Sequence, residues 1–299
     1  MIQSYGQVFN LGHQAIAELF LDPVLIEEKI DGSQFSFGIV DDVLQCRSHH
    51  KPINLDAPNM FAKAVDTVKG IEPLLHPGWI YRCEFLSKPH HNCLCYERVP
   101  KGNLIVYDID KGIEDYLEYE DKVTEVTRIG LECVPSVKGI MTSLDELRKC
   151  LDLNSCLGGT KVEGVVIKNY SRFGIDKHCL MGKLVSDSMK ERISKGGGRG
   201  GGKGIIQLIG LSLKTEARWN KAIQHLREQG LLTNTPQDIG PLFREVNIDI
   251  LKECSDEIVN ELFKWAWPSI SRLATKGLAE FYKELLAKGQ FTSEKGDTK

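Results

Sequence analysis

The run SKGGGRGGGKG, residues 194–204, constrains the fold more than any other stretch. Seven of its eleven residues are glycine, and Lys195, Arg199 and Lys203 stand among them. A backbone with so few side chains gains nothing from packing and loses much entropy on being fixed, so a mobile basic linker is expected here, with different architectures on either side. Gly197 to Lys203 also spells a partial phosphate loop, G-x-x-x-x-G-K. Gly204, however, stands where a Ser or Thr would bind the metal, and no buried apolar strand leads into the run.

Before the run the period is that of strands. VLIEEKI is broken by Asp31-Gly32, after which Phe35, Phe37 and Ile39 alternate with smaller or polar residues, so Lys29 is expected at the end of a strand just before a turn. WIYRCEF (79–85), LIVYDI (104–109), VEGVVIK (162–168) and CLMGKLV (179–185) read as further strands, and residues 57–69 as a helix between them. After the run the period becomes helical: Trp219, Ala222, Ile223 and Leu226 recur at i, i+3, i+4 and i+7, as do Ile258, Leu262 and Trp265. The layout is α+β. It predicts a first domain over 1–190, a linker over 191–204 and a small all-α domain over 205–299, with at least one of Trp265 and Trp267 in its core.

The formal charge of −3 excludes a wholesale basic surface, so contact with a polyanion has to come from a local patch. Window 190–204 supplies one, with Lys190, Arg192, Lys195, Arg199 and Lys203 against Glu191. Nine scattered cysteines read as reduced thiols in a cytoplasmic protein, and no apolar stretch approaches the roughly 18 residues of a spanning helix, so no membrane association is expected. His90, His91, Cys93 and Cys95 cluster without a second pair at zinc-ligand spacing.

The charged residues on the strands carry the chemistry. Lys29-Ile-Asp31-Gly32 is followed by Glu84, Tyr107, Glu163-Gly164-Val-Val-Ile-Lys168 and Lys183. This ordered series resembles the motifs of covalent nucleotidyltransferases, the group of ATP-dependent DNA ligases, RNA ligases and mRNA capping enzymes, over roughly residues 25–191. The resemblance implies an adenylyltransferase domain with antiparallel sheets and ATP with Mg2+ or Mn2+ as cofactors. It assigns Lys29 as the nucleophile that becomes lysyl-AMP, with Lys168 and Lys183 neutralising charge on the α-phosphate. It further assigns Glu84 to the ribose, Tyr107 to stacking on adenine, Glu27 to the adenine edge, and Arg47 to the sugar or an incoming 5′ phosphate. Glu163 would hold the metal, while Asp31 and Gly32 complete the first motif, Gly32 allowing the tight turn. A free lysine has a pKa of about 10.4, so attack by Lys29 requires local activation, against which the nearby carboxylates pull.

Many family members carry Lys-x-Lys in the fifth motif, where this chain has Met181 before Lys183. The chain also continues into glycines and helices, without the strands of an OB domain. That continuation resembles phage-type RNA ligases and implies, as partner, RNA with 5′-phosphate and 3′-hydroxyl ends, joined by a monomeric enzyme. SRFG, Ser171 to Gly174, follows the fourth motif as in many RNA ligases, which places Arg172 near substrate. The alternatives are a DNA or mixed-specificity nick ligase and a non-catalytic RNA-end binder of the same fold.

Overall fold

A computed structural model of the chain describes residues 1–137, 144–186 and 204–293, with side chains through 288. The glycine run before Gly204 and the basic window 190–203 lie outside the described residues.

Among the described residues ten strands form two sheets. They are β1 (Phe9–Asn10), β2 (Leu25–Lys29), β3 (Ser33–Val40), β4 (Val43–Ser48), β5 (Pro52–Ile53), β6 (Ile80–Phe85), β7 (Leu104–Asp110), β8 (Glu132–Cys133), β9 (Gly164–Phe173) and β10 (Cys179–Val185). The smaller sheet has the order β1-β10-β9-β2 and the larger β5-β4-β3-β6-β7-β8. All pairings are antiparallel except β1 with β10 and β7 with β8. The described residues also form α1 (Ala62–Ile71), α2 (Tyr119–Arg128), α3 (Leu144–Cys150), α4 (Ile205–Ser212), α5 (Glu216–Glu228), α6 (Ile239–Ala274) and α7 (Leu278–Ser293), all α-helical. The α+β reading and the strand positions agree with the sequence. The first helix starts at Ala62, five residues after its predicted start.

Alternation decides what each sheet buries. On the small sheet Ile26, Val165, Ile167, Leu180 and Leu184 point to one side and pack with Ile16, Leu19 and Leu147. On the large sheet Phe35, Phe37, Tyr81, Cys83, Phe85 and Val106 pack against Ala64, Val65 and Val68 of α1 and Val126 of α2. Each sheet therefore spends its apolar face on its own core, leaving the polar face for other work.

The chain forms two compact units, Met1–Arg192 with Lys214–Asp249, and Ile193–Leu213 with Ile250–Lys299. Residues 214–249, assigned from composition to the helical domain, pack with the sheets instead. The reason lies in α5, whose buried side carries Arg218, Ala222, Leu226 and Glu228 together with Gln224 on the turn after β2. The second unit is helical, with Ile209, Leu213 and Cys254 as its buried core and Ile205, Ile250, Ile258 and Leu262 packed on them. Trp265 and Trp267 are 63% and 51% exposed, so neither is the core residue expected, and Trp267 stacks on Phe263. Among the described residues no helix is long and apolar enough to cross a membrane.

Candidate active site

Strand register gathers the charged residues on one face. Lys29 stands opposite Gly164, Glu27 opposite Val166 and Leu25 opposite Lys168. On the other side of β9, Lys183 stands opposite Val166 and Met181 opposite Lys168. Directly paired residues share a face and so do residues two apart, so Glu27, Lys29, Lys168, Met181 and Lys183 all project from the side opposite the Ile26–Ile167 core. A one-residue slip would bury every one of them in that core.

Lys29 closes β2 with its ammonium 2.8 Å from Glu163 Oε2. Its side chain is 29% exposed, open to an incoming group, while that of Glu163 is 12% exposed. Burial pulls the amine down, but the charge and hydrogen bond of Glu163, with Glu84 and Asp31 behind it, outweigh burial and raise its pKa above that of a free lysine. Lys29 is thus held as an ammonium. Gly164 beside it is dictated by β10: a Cβ there would lie 2.4 Å from the Leu184 carbonyl oxygen.

Glu84, on β6, is the most perturbed acid of this neighbourhood. Burial pushes its carboxyl up to about 8 against the opposing pull of Lys29, and Glu228, Glu163 and Asp31 add to the rise. Its Oε2 is buried and has no hydrogen-bond partner. A carboxylate in that condition is an open acceptor for a hydroxyl, or in its protonated form a donor. Gly32 serves this same atom: a Cβ at Gly32 would lie 2.9 Å from Glu84 Oε2 and from the Phe85 carbonyl oxygen. The glycine is required by close approach of β6.

Asp31 faces the loop that follows β6. Its carboxylate accepts from the backbone N–H of Cys93 and Leu94 at 2.8 and 2.7 Å and from Asn92 Nδ2 at 3.2 Å, while its own N–H donates to Tyr96 Oη. It anchors the His- and Cys-rich loop to the motif. His91 Nδ1 accepts from the Ser87 N–H, so Nε2 carries the proton and donates to Ser33 Oγ at 2.8 Å; burial brings the ring down to about 4. Ser33 Oγ also accepts from Gln224 Nε2 of α5 at 2.9 Å, and Gln224 reaches the Gly32 carbonyl and Glu228. Among the described residues no group of three or more metal-ligating side chains occurs. Arg47, on β4 beside Ser36 of β3, has a buried Nε without a hydrogen-bond partner.

Lys168 is fully buried at the other end of the face. Its ammonium donates to Glu27 Oε2, to the Tyr107 carbonyl oxygen at 2.9 Å and to Asp108 Oδ1 at 2.9 Å. The phosphate role inferred for it requires an ammonium that leaves these partners. Tyr107 is partly exposed, with the Lys168 ammonium 5.3 Å from its ring centroid and Tyr5 edge-on at 5.2 Å. Lys183 is partly exposed on β10. Met181 is 1% exposed among Tyr5, Tyr116, Tyr170 and Cys179, and its sulfur lies 2.9 Å from Tyr5 Oη, whose single proton goes to Asp108. An apolar side chain fits that cluster where an unpaired ammonium would not. Arg172 pairs with Glu18 at 2.8 Å and with Asp22.

Sequence reasoning missed several members of this site. Lys122 of α2 is completely buried and donates to Glu27 Oε1 and the Tyr107 carbonyl, both at 2.6 Å. One signal was available: with Val126 and Ile129 it falls on the buried stripe of α2, an unusual place for a lysine unless it is paired. Asp108, which accepts from Tyr5 and Tyr170, and Gln224 and Glu228 of α5 lacked any such signal.

Comparison with known proteins adds the family. No curated protein matches the sequence. Solved structures of a Naegleria gruberi RNA ligase resemble the chain weakly: a mutant with ATP and Mn is 16% identical, covers 62% of this chain and 56% of its own length, and has a TM-score of 0.48. The same enzyme with PPi matches with 16% identity, the same coverage and a TM-score of 0.45. The chain thus spans a little over half the length of these solved relatives. A family model described as RNA ligase matches residues 22–185, more than half of the chain and every residue of the face described above. The chain belongs to the RNA ligase family.

Proposed function

We propose that the chain is an ATP-dependent RNA ligase. Lys29 Nζ, once deprotonated, forms a P–N bond to the α-phosphorus of ATP as the bond to pyrophosphate breaks. The AMP then passes to an RNA 5′ phosphate, freeing the lysine, and an RNA 3′ hydroxyl displaces AMP to form the phosphodiester.

The observation that carries this reading is the Lys29–Glu163 pair at 2.8 Å beside the unpartnered Glu84 Oε2, on the face of the family's own match. An accessible amine next to an open buried acceptor suits a nucleotide whose α-phosphate meets Lys29 while its ribose hydroxyls meet Glu84. Tyr107 would stack on the adenine, Glu27 would face its polar edge, and Arg47 Nε would take the sugar or the incoming 5′ phosphate. Lys168 and Lys183 would neutralise charge on the transferred phosphate. A single carboxylate beside the nucleophile fits Mg2+ or Mn2+, cations commonly held by one or two carboxylates together with substrate phosphates and water. Glu163 would be that ligand, and a cation there supplies charge neutralisation that loosens its grip on Lys29.

The substrate would be RNA with 5′-phosphate and 3′-hydroxyl ends, in the repair of broken RNA by a cytoplasmic monomer. The test is incubation with magnesium and α-labelled ATP or, separately, GTP. Denaturation-stable label from ATP, lost in Lys29→Ala, is the expected result. Label from GTP would move the reading to a capping-type enzyme. No label, with phosphorylated RNA still bound, would make the chain a non-catalytic end binder. Nicked duplexes differing only in the sugar at the 3′ terminus then separate RNA from DNA sealing.

A further inference from the structure

Lys122 and Lys168 share their acceptors. Each donates to one oxygen of Glu27, both donate to the Tyr107 carbonyl oxygen, and both face Asp108 Oδ1, at 3.7 Å from Lys122 and 2.9 Å from Lys168. Asp108 has two further donors, the hydroxyls of Tyr5 and Tyr170. Removing Lys168 from this list leaves every acceptor served: Glu27 and the carbonyl by Lys122, and Asp108 by the two tyrosines. Removing both lysines would strand Glu27, a buried carboxylate only 1% exposed, without a counter-ion.

The two lysines differ in freedom. Lys168 projects from the sheet face it shares with Lys29, so it can turn toward a ligand lying on that face. Lys122 comes from α2, not from the sheet face, and is wholly enclosed. We propose that Lys122 is a positioning residue that holds Glu27 and the Tyr107 carbonyl in place, so that Lys168 can leave them for a bound nucleotide. The proposal rests on the ligase reading above, because it needs a nucleotide for Lys168 to meet. Without Lys122, Lys168 becomes the sole counter-ion of Glu27 and stays where it is.

The test uses single-turnover AMP attachment by the full chain at saturating ATP, with ATP affinity measured separately. Lys122→Met and Lys122→Gln should each slow attachment at least tenfold while the Kd for ATP changes less than threefold, and Lys122→Arg should stay within threefold of wild type. A merely structural role would instead lower the melting temperature and leave the rate of the folded fraction unchanged, and that result overturns the proposal. Should the neutral variants fail to fold, a crystal structure of the wild-type chain with a non-cleavable ATP analogue decides. Lys168 Nζ is expected to have left Asp108 and Glu27 for the nucleotide, with Lys122 still on Glu27. A complex in which Lys168 keeps both carboxylates overturns the proposal and leaves the ligase reading standing. Wild-type protein that takes no AMP from ATP overturns the ligase reading, and the proposal falls with it.

Discussion

Lys29 and Glu163 lie 134 residues apart in the chain and 2.8 Å apart in space. The antiparallel register sets Lys29 opposite Gly164, which brings the carboxylate just before β9 to the ammonium at the end of β2. The pair fixes the position of the Lys29 ammonium and its protonation together. An amine held charged cannot attack phosphorus, so attachment of AMP should quicken with rising pH as Lys29 loses its proton. Because the Glu163 charge raises that pKa, Glu163→Gln should move the ascending limb of the pH–rate profile down by about one pH unit, equivalent to about 1.4 kcal/mol of lost attraction. The plateau should also fall. A limb that stays in place would mean that Lys29 does not limit the rate.

Glu84 should make stability depend on pH with an unusual sign. Its folded carboxyl titrates at about 8 and its unfolded one at 4.5, so the folded state holds an extra proton between those values. Stability from this group is full below pH 4.5 and falls as pH rises toward 8. Glu84→Gln, which cannot ionise, should therefore melt a few degrees above wild type at pH 8.5, with the gap shrinking at pH 5. Equal gaps at the two pH values would show that Glu84 is ionised throughout.

Gly32→Ala should be costly out of proportion to its size. The added methyl has 2.9 Å to the Phe85 carbonyl and to Glu84 Oε2, so β6 or the Glu84 carboxylate must shift. Urea unfolding is expected to show a loss of about 1–3 kcal/mol, the range for overpacking. ATP affinity should fall about tenfold, or 1.4 kcal/mol, as Glu84 is displaced. A variant as stable and as tight-binding as wild type would show that the turn relaxes freely.

Asp31→Ala should release the 92–96 loop. The change strands the half-buried N–H of Leu94, at about 1–3 kcal/mol, and leaves the exposed N–H of Cys93 to water. Hydrogen exchange at those two amides should accelerate well beyond the rest of β3 and β6, and Asp31→Asn, which keeps an acceptor, should fall between. Unchanged exchange would mean that Tyr96 and His91 hold the loop without Asp31.

Part of this site is legible in the sequence alone. Period-2 alternation placed Lys29 at a strand end, put Glu84 and Tyr107 on strands, and bounded CLMGKLV at the same residues that form β10. Those features are local: a strand's alternation is written in its own residues, and motif order survives because the chemistry fixes which residue types occur. The trait that misled was also compositional. A glycine run followed by helical periodicity suggested a boundary at 204, yet α5 beyond it packs with the first unit, through contacts of Gln224 and Glu228 that no periodicity announces.

The strands, the place of Lys29 at a strand end and the order of the charged motifs are written in the residues themselves. Which charges meet is set by how distant segments pack. Whether Lys168 is free or bound, whether Lys122 is a surface lysine or the buried partner of Glu27, and whether Asp31 faces a ligand or a loop all depend on residues far apart in the chain. Electrostatic energy inside a protein depends on distance and burial, and both are set by register between strands and by which helix face is covered. A chain read residue by residue carries neither.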